Sequence, residues 1–183
     1  GGGVEPVVED LGLLRQDGRR HGLRRIARAE GRAQRRFDSV GVAIQADMAY
    51  DLRSNRPIGM RTAIGQIGVP YPLWLSALST KASVVNQGVD GVFLPWTSTI
   101  DTAGAKKGTL TPLFITSKYA GIEGMRVLIS PGRQWAQDSL RTRLVGVQVN
   151  SHAAADTTTG PKGRLIVVAS TDFSVDGFIQ PEN

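Results

Sequence analysis

The stretch GRLIVVASTDFSVD, residues 163–176, runs from an apolar strand into a cluster of hydroxyls and a carboxylate. Residues 165–168 are apolar without a break, which is the pattern of a strand covered on both faces in an α/β sheet. The polar end that follows, Ser170, Thr171 and Asp172, predicts a tip that orders the next loop. In this reading Asp172 accepts backbone N–H bonds and Phe173 packs beneath it.

Working outward, the chain repeats short β-branched apolar runs separated by Gly, Pro, Asn and Ser turns. VGVAIQADMAYDL (residues 40–52) alternates enough to supply one or two strands. IGQIGVPYP (64–72) leads into LWLSALS (73–79), and GVFLPW (91–96), LTPLFITS (110–117), MRVLIS (125–130), RLVGVQVN (143–150) and RLIVVAS (164–170) follow. Helices are expected over residues 3–11, where Pro6 lies in a first turn beside Glu5, over 73–79, and over 132–143. The expected fold is α/β: a mixed, mostly parallel sheet with helical cover and no internal repeat.

A length of 183 residues suits one domain with a real core. No segment approaches the roughly 20 uninterrupted apolar residues of a membrane helix, and the first residues lack the charged-then-apolar order of a signal peptide. The chain as given is expected to be soluble, and its abrupt ends read as those of a piece of a longer protein.

Catalytic signatures are sparse. Cysteine is absent, which removes disulfides, thiolate metal sites and cysteine nucleophiles together. The two histidines are His21, in an arginine-rich segment, and His152, in the turn-like NSHAAADTTTG. Neither has a second histidine at helical spacing to build a zinc site. There is no Gly-x-Ser-x-Gly elbow, and in TGPKG (159–163) Lys162 is followed by glycine rather than a hydroxyl residue, so no phosphate-binding loop is formed. Catalytic residues, metal and cofactor are therefore all expected to be absent.

The net charge of +6 is local. Residues 15–36 hold nine arginines against Asp17 and Glu30, a balance of +7, so the rest of the chain nets −1. If helical, Arg24, Arg28, Arg32 and Arg35 line one stripe able to grip phosphates or an anionic membrane. Three readings stay open for residues 11–37: a polyanion-binding segment, a solvated insertion, or a reading-frame slip in a G+C-rich gene, whose wrong frames are dominated by arginine, glycine and alanine codons. No aromatic residue precedes Phe37 to stack on a base, so specific nucleic acid is not expected as a partner.

What remains is a set of polar and aromatic tips: YDLRSNRP (50–57), VPYPLW (69–74), LPWTSTID (94–101), TPLFITS (111–117) and ASTDF (169–173). Ligands of open α/β sheets bind beyond strand ends. Arg53, Asn55, Tyr71, Trp74, Trp96, Ser98, Ser117 and Asp172 are thus expected to border one binding surface.

In this order the five stretches resemble the extracytoplasmic domain of the GldG-like family, gliding-motility or auxiliary components of ABC transport systems. The resemblance covers residues 4–10 weakly and 38–178 well, which makes residues 11–37 an intrusion into a single domain. It implies an α/β domain of flavodoxin-like, class I glutamine-amidotransferase-like or GIFT type without catalytic apparatus. It also implies a protein held at the periplasmic face of the cytoplasmic membrane by helices absent from this chain, beside an ABC permease. Two departures stand out: the family's Gly-Asp-Ser-Asp-Phe-like turn is reduced to Asp172-Phe173, and Tyr119 stands where a tryptophan is expected after TPLFITS. A divergent hydrolase of the same fold using His152, or a polyanion-binding protein, are the alternatives.

Overall fold

Alternation with a period of two governs the long apolar stretch at the centre of the chain. Leu73, Leu75 and Ala77 are buried while Trp74, Ser76 and Leu78 turn outward, the signature of a strand with one face on the core. The computed structural model describes residues 40–63, 65–124, 129–150 and 163–174. All of them fall in the unit spanning residues 37–183. The expected helix over 3–11 and the basic segment 11–37 lie outside the described residues, as does most of MRVLIS.

Ten strands follow in order: β1 (Ala43–Ile44), β2 (Asp47–Asp51), β3 (Asn55–Thr62), β4 (Gly65–Ser79), β5 (Gly91–Pro95), β6 (Ile100–Asp101), β7 (Leu110–Ile115), β8 (Ala120–Gly124), β9 (Leu144–Asn150) and β10 (Arg164–Val168). A six-stranded sheet runs β10-β9-β7-β4-β3, with β5 also paired to β4, and β1-β6 and β2-β8 form two separate ribbons. Every described pairing is antiparallel.

This overturns the expected α/β fold. Strand accounts for 51% of the described residues and helix for 3%, so among them there is no mostly parallel sheet and no helical cover, and the flavodoxin-like, amidotransferase-like or GIFT architecture is not what this sheet forms. Residues 73–79 are the second half of β4, not a helix. Residues 132–143 form turns and irregular chain rather than a helix, and their backbone is tied to the β2-β8 ribbon instead: Tyr50 Oη donates to Ala136 O at 2.7 Å and Arg141 N to Ala120 O at 2.9 Å, while Tyr71 Oη holds the preceding Ile129 O at 2.8 Å.

The strand that decided the expectation is also corrected. β10 lies at the edge of the sheet, paired antiparallel to β9, and Ile166 in its middle is 46% exposed. The strand covered on both faces is β9, where Val145, Val147 and Val149 alternate with Gly146 and Gln148 and all five are buried. Its polar member is satisfied: Ser83 Oγ donates to Gln148 Oε1 at 2.7 Å, and Gln148 Nε2 donates to Asn150 Oδ1 at 3.0 Å. Gly146 makes room for the Phe114 ring, since a Cβ there would stand 2.7 Å from Phe114 Cδ2. An apolar run therefore marked an edge strand, while a glycine and a glutamine marked the centre.

Three apolar clusters hold these strands. Leu75, Ala77, Leu94, Leu113 and Val145 form one, Val42, Ile100, Val147, Val149 and Val167 a second, and Tyr50, Tyr71 and Leu73 a third. Each fully buried Leu or Val contributes about 1.5–3 kcal/mol from removal of apolar surface from water. Between β4 and β5 the fully buried Asn86 ties the loop down, its Nδ2 donating to Leu113 O at 2.8 Å and to Ser79 Oγ at 3.0 Å, and its Oδ1 accepting from Ser83 N at 3.0 Å.

Candidate functional site

The aromatic part of the site is made by an irregularity in β4. β3 and β4 pair in register from Thr62↔Gly65 to Arg56↔Tyr71, but the next pair is Asn55↔Leu75. One step along β3 thus faces four along β4, and Pro72, Leu73 and Trp74 form an enlarged bulge. Pro72 has no N–H to lose there, and Leu73 O accepts instead from Trp96 N at 2.9 Å. Bulges re-aim side chains, and this one gathers the aromatics. Trp74 stands at the centre of three edge-to-face contacts, to Tyr71 at 5.8 Å, Phe93 at 5.7 Å and Trp96 at 6.2 Å.

Trp96 is held in the left-handed region, φ +47. A bulky side chain is uncommon there, and strain of this kind survives only where the surroundings fix it. Here the backbone bond to Leu73 and the indole N–H donated to Tyr71 Oη at 3.4 Å do so. Burial pushes the Tyr71 phenol pKa up, and the Trp96 hydrogen bond pulls the other way. Arg56, exposed on β3, lies over the Phe93 ring at 4.6 Å from its centroid.

Arg53, Asn55 and Ser117 gather around Asp51, a carboxylate with no solvent exposure. Asp51 Oδ1 accepts from Arg53 N at 2.9 Å, Ser54 N at 2.8 Å and Ser117 Oγ at 2.8 Å, and Oδ2 accepts from Ser117 N at 2.7 Å. Asn55 Nδ2 donates to Asp51 O at 2.8 Å. The Arg53 guanidinium lies 5.4 Å from the centroid of Tyr119. Asp51 was not among the eight expected residues, although its signal is present: Asp-Leu-Arg-Ser at the end of a strand is the pattern of a carboxylate that closes a turn on its own backbone.

Ser98 belongs to a third group. Its hydroxyl donates to Asp47 O at 2.8 Å and its N–H to Ala169 O at 2.9 Å, while Asp47 Oδ1 accepts from Thr99 N at 2.7 Å. The polar tip after β10 is clipped to the same segment: Ser170 Oγ donates to Pro95 O and Thr97 Oγ1 to Ala169 O, both at 2.9 Å. Asp172 opens a 3₁₀ turn, Asp172–Ser174, that lies against β5. Phe173 is 41% exposed and does not pack beneath Asp172 as expected, because the clipping is done by Ser170 and leaves the 3₁₀ turn on the surface.

The structure therefore joins Tyr71, Trp74 and Trp96 in one cluster and Arg53, Asn55 and Ser117 in a second, while Ser98 bonds to Asp47 and Ala169 and Asp172 opens the turn against β5. The carboxylates of Asp47 and Asp51 are engaged by backbone N–H and hydroxyl donors, which suits them to fixing loops. Among the described residues no three His, Cys, Asp or Glu side chains are grouped to hold a metal ion, and no helix is long and apolar enough to cross a membrane. His152 lies outside the described residues, and the hydrolase alternative loses the fold on which it rested.

Among the described residues the domain is thus an antiparallel scaffold that carries an aromatic ledge and carboxylates pinned by backbone and hydroxyl donors. The family model described as an ABC-type uncharacterized transport system matches residues 6–183, and the chain belongs to this family of transport-system auxiliary components. This agrees with the transport-system part of the resemblance. Neither curated proteins nor solved structures gave a match.

Proposed function

We propose that this domain is a non-catalytic, partner-binding auxiliary component of an ABC transport system, working at the periplasmic face of the cytoplasmic membrane. The partner is the permease or a companion membrane subunit, and ATP is handled by a separate protein. Membership of the auxiliary family supports the transport setting, and the gliding-motility resemblance supports the location. In this reading residues 11–37 are an insertion that takes no part in binding.

The observation that carries the reading is the ledge of Trp74, Phe93 and Trp96 with Arg56 over one end. Partially exposed Trp and Arg side chains on a rigid strand pair are the residue types that concentrate binding energy at protein interfaces. Trp96 is kept in a strained conformation at this place, and strain tends to be retained where a side chain must be presented in one orientation. The pinned carboxylates fit a scaffold role, since Asp47 and Asp51 accept backbone N–H and hydroxyl bonds that tie loops down.

The test is isolation of the tagged full-length gene product from its own membranes, with the ABC ATPase and permease subunits quantified by mass spectrometry. Co-isolation in fixed ratio is expected. Absence of both subunits, or turnover of an acyl or glycosyl substrate by the purified domain, would overturn the proposal.

A further inference from the structure

The order of strands ends at β3, and among the described residues no strand lies beyond it. Residues 57–62 of β3 and 65–70 of β4 form a two-stranded ribbon, anchored at its base where Ile58 packs on the Tyr50, Tyr71 and Leu73 cluster. Pro57 faces Pro70 in this ribbon. Neither has an N–H, so the pair is of the non-hydrogen-bonded kind. Alternation then makes Ile58↔Val69 and Met60↔Ile67 the bonded pairs and turns the backbone N–H and C=O of Gly59 and Arg61 outward. Both residues are exposed.

The same register places Ile58, Met60, Ile67 and Val69 on one face, and Ile67 is 45% exposed. The charge is one-sided. Between Asp51 and Asp90 the chain has no acidic residue, while Arg53, Arg56, Arg61 and Lys81 fall in that interval. Lys81 is paired with Asp90 at 2.6 Å, whereas Arg56 and Arg61 on β3 have no carboxylate partner among the described residues.

We propose that the outer edge of β3, residues 58–62, receives an extended acidic segment of a partner protein, which adds to the sheet as a further strand. This rests on the partner-binding reading and names the chemistry of the segment bound. Outward N–H and C=O groups supply main-chain bonds, the apolar face takes alternate apolar side chains, and Arg61, on the opposite face from Ile58 and Met60, selects carboxylates. A second copy of the chain is disfavoured, because pairing of β3 with itself sets arginine against arginine. A lipid bilayer is disfavoured as well, since an open ribbon edge cannot be satisfied in hydrocarbon. Pro57 and the adjacent bulge close the inner end of the edge, which confines docking to the outer half of the strand.

The experiment is residue-resolved amide hydrogen exchange on the purified 183-residue chain with three probes: the peptide Thr-Glu-Val-Glu-Val-Glu-Thr, its counterpart with lysine for glutamate, and phosphatidylglycerol vesicles. The acidic peptide is expected to slow exchange at Gly59 and Arg61 by about tenfold or more, and the lysine peptide to leave both unchanged. Gly59→Pro, which deletes one outward N–H and whose Cβ displaces only the flexible end of Gln66 on β4, is expected to weaken peptide binding about tenfold. Arg61→Glu is expected to reverse the preference between the two peptides. No protection by the acidic peptide, equal protection by both peptides, or protection by vesicles alone would overturn the proposal. Any of these results together with intact co-isolation of the transporter subunits rejects strand docking and leaves the proposed function standing, so the two failures are distinguishable.

Discussion

Asp51 accepts both the backbone N–H of Ser117, at 2.7 Å, and its hydroxyl, at 2.8 Å, although the two residues are 66 positions apart. One buried carboxylate thereby fixes the exit of β2, through Arg53 and Ser54, and the segment between β7 and β8, through Ser117. Asp51→Ala leaves three backbone N–H groups without their acceptor and is expected to cost about 2–4 kcal/mol, whereas Ser117→Ala costs about 1 kcal/mol. Urea unfolding checks both. Because the two residues share bonds, the double variant should cost less than the sum of the singles. Strict additivity would show that the pair is not coupled.

Tyr50 and Gly121 are cross-strand partners in the β2-β8 ribbon. A Cβ on Gly121 would stand 2.2 Å from the Tyr50 ring, which is buried, packs on Trp135 with centroids 4.8 Å apart, and donates to Ala136 O. Gly121→Ala must displace that ring and is expected to destabilise by about 1–3 kcal/mol. Tyr50→Phe, which loses only the hydroxyl bond, should cost about 1 kcal/mol. If Gly121→Ala proves neutral by thermal unfolding, the close packing described here is wrong.

Much of the strand content was legible in the sequence, and the fold class was not. The runs at 91–96, 110–117 and 143–150 each hold a strand, because β-branched residues bounded by turn formers fit only a pleated surface. Direction of pairing leaves no such mark. The apolar run at 165–168 fits a buried parallel strand and an antiparallel edge strand equally well, and LWLSALS fits a short helix until its partners on both sides are known. At the site, Tyr71, Trp74 and Trp96 were legible as residues, but their meeting depends on the bulge at Pro72, a feature of register. Asp51 was masked by its ordinary turn-forming context.

Alkaline pH offers a further check. Burial raises the Tyr71 phenol, and burial followed by the nearby Glu123 and Asp138 carboxylates raises Tyr50. Each neutral phenol is favoured in the folded state, so the stability it contributes is complete below the ordinary tyrosine value of about 10 and is lost as pH rises through the folded-state value above it. Denaturant midpoints should therefore fall as pH rises beyond about 10. Tyr71→Phe and Tyr50→Phe should each make that decline shallower. A decline as steep in both variants as in the parent would contradict the assignment to these phenols.

The central claim is that the Trp74–Trp96 ledge with Arg56 engages the transport machinery. Its most direct test compares the parent, Trp96→Ala and Arg56→Ala forms of the tagged full-length protein in native membranes, measuring the ATPase and permease subunits recovered per molecule of tagged protein. Arg56 is exposed, so its variant keeps the fold even if Trp96→Ala does not. Recovery is expected to fall at least about tenfold for Trp96→Ala and by a smaller factor for Arg56→Ala. Unchanged recovery with both variants would contradict the account.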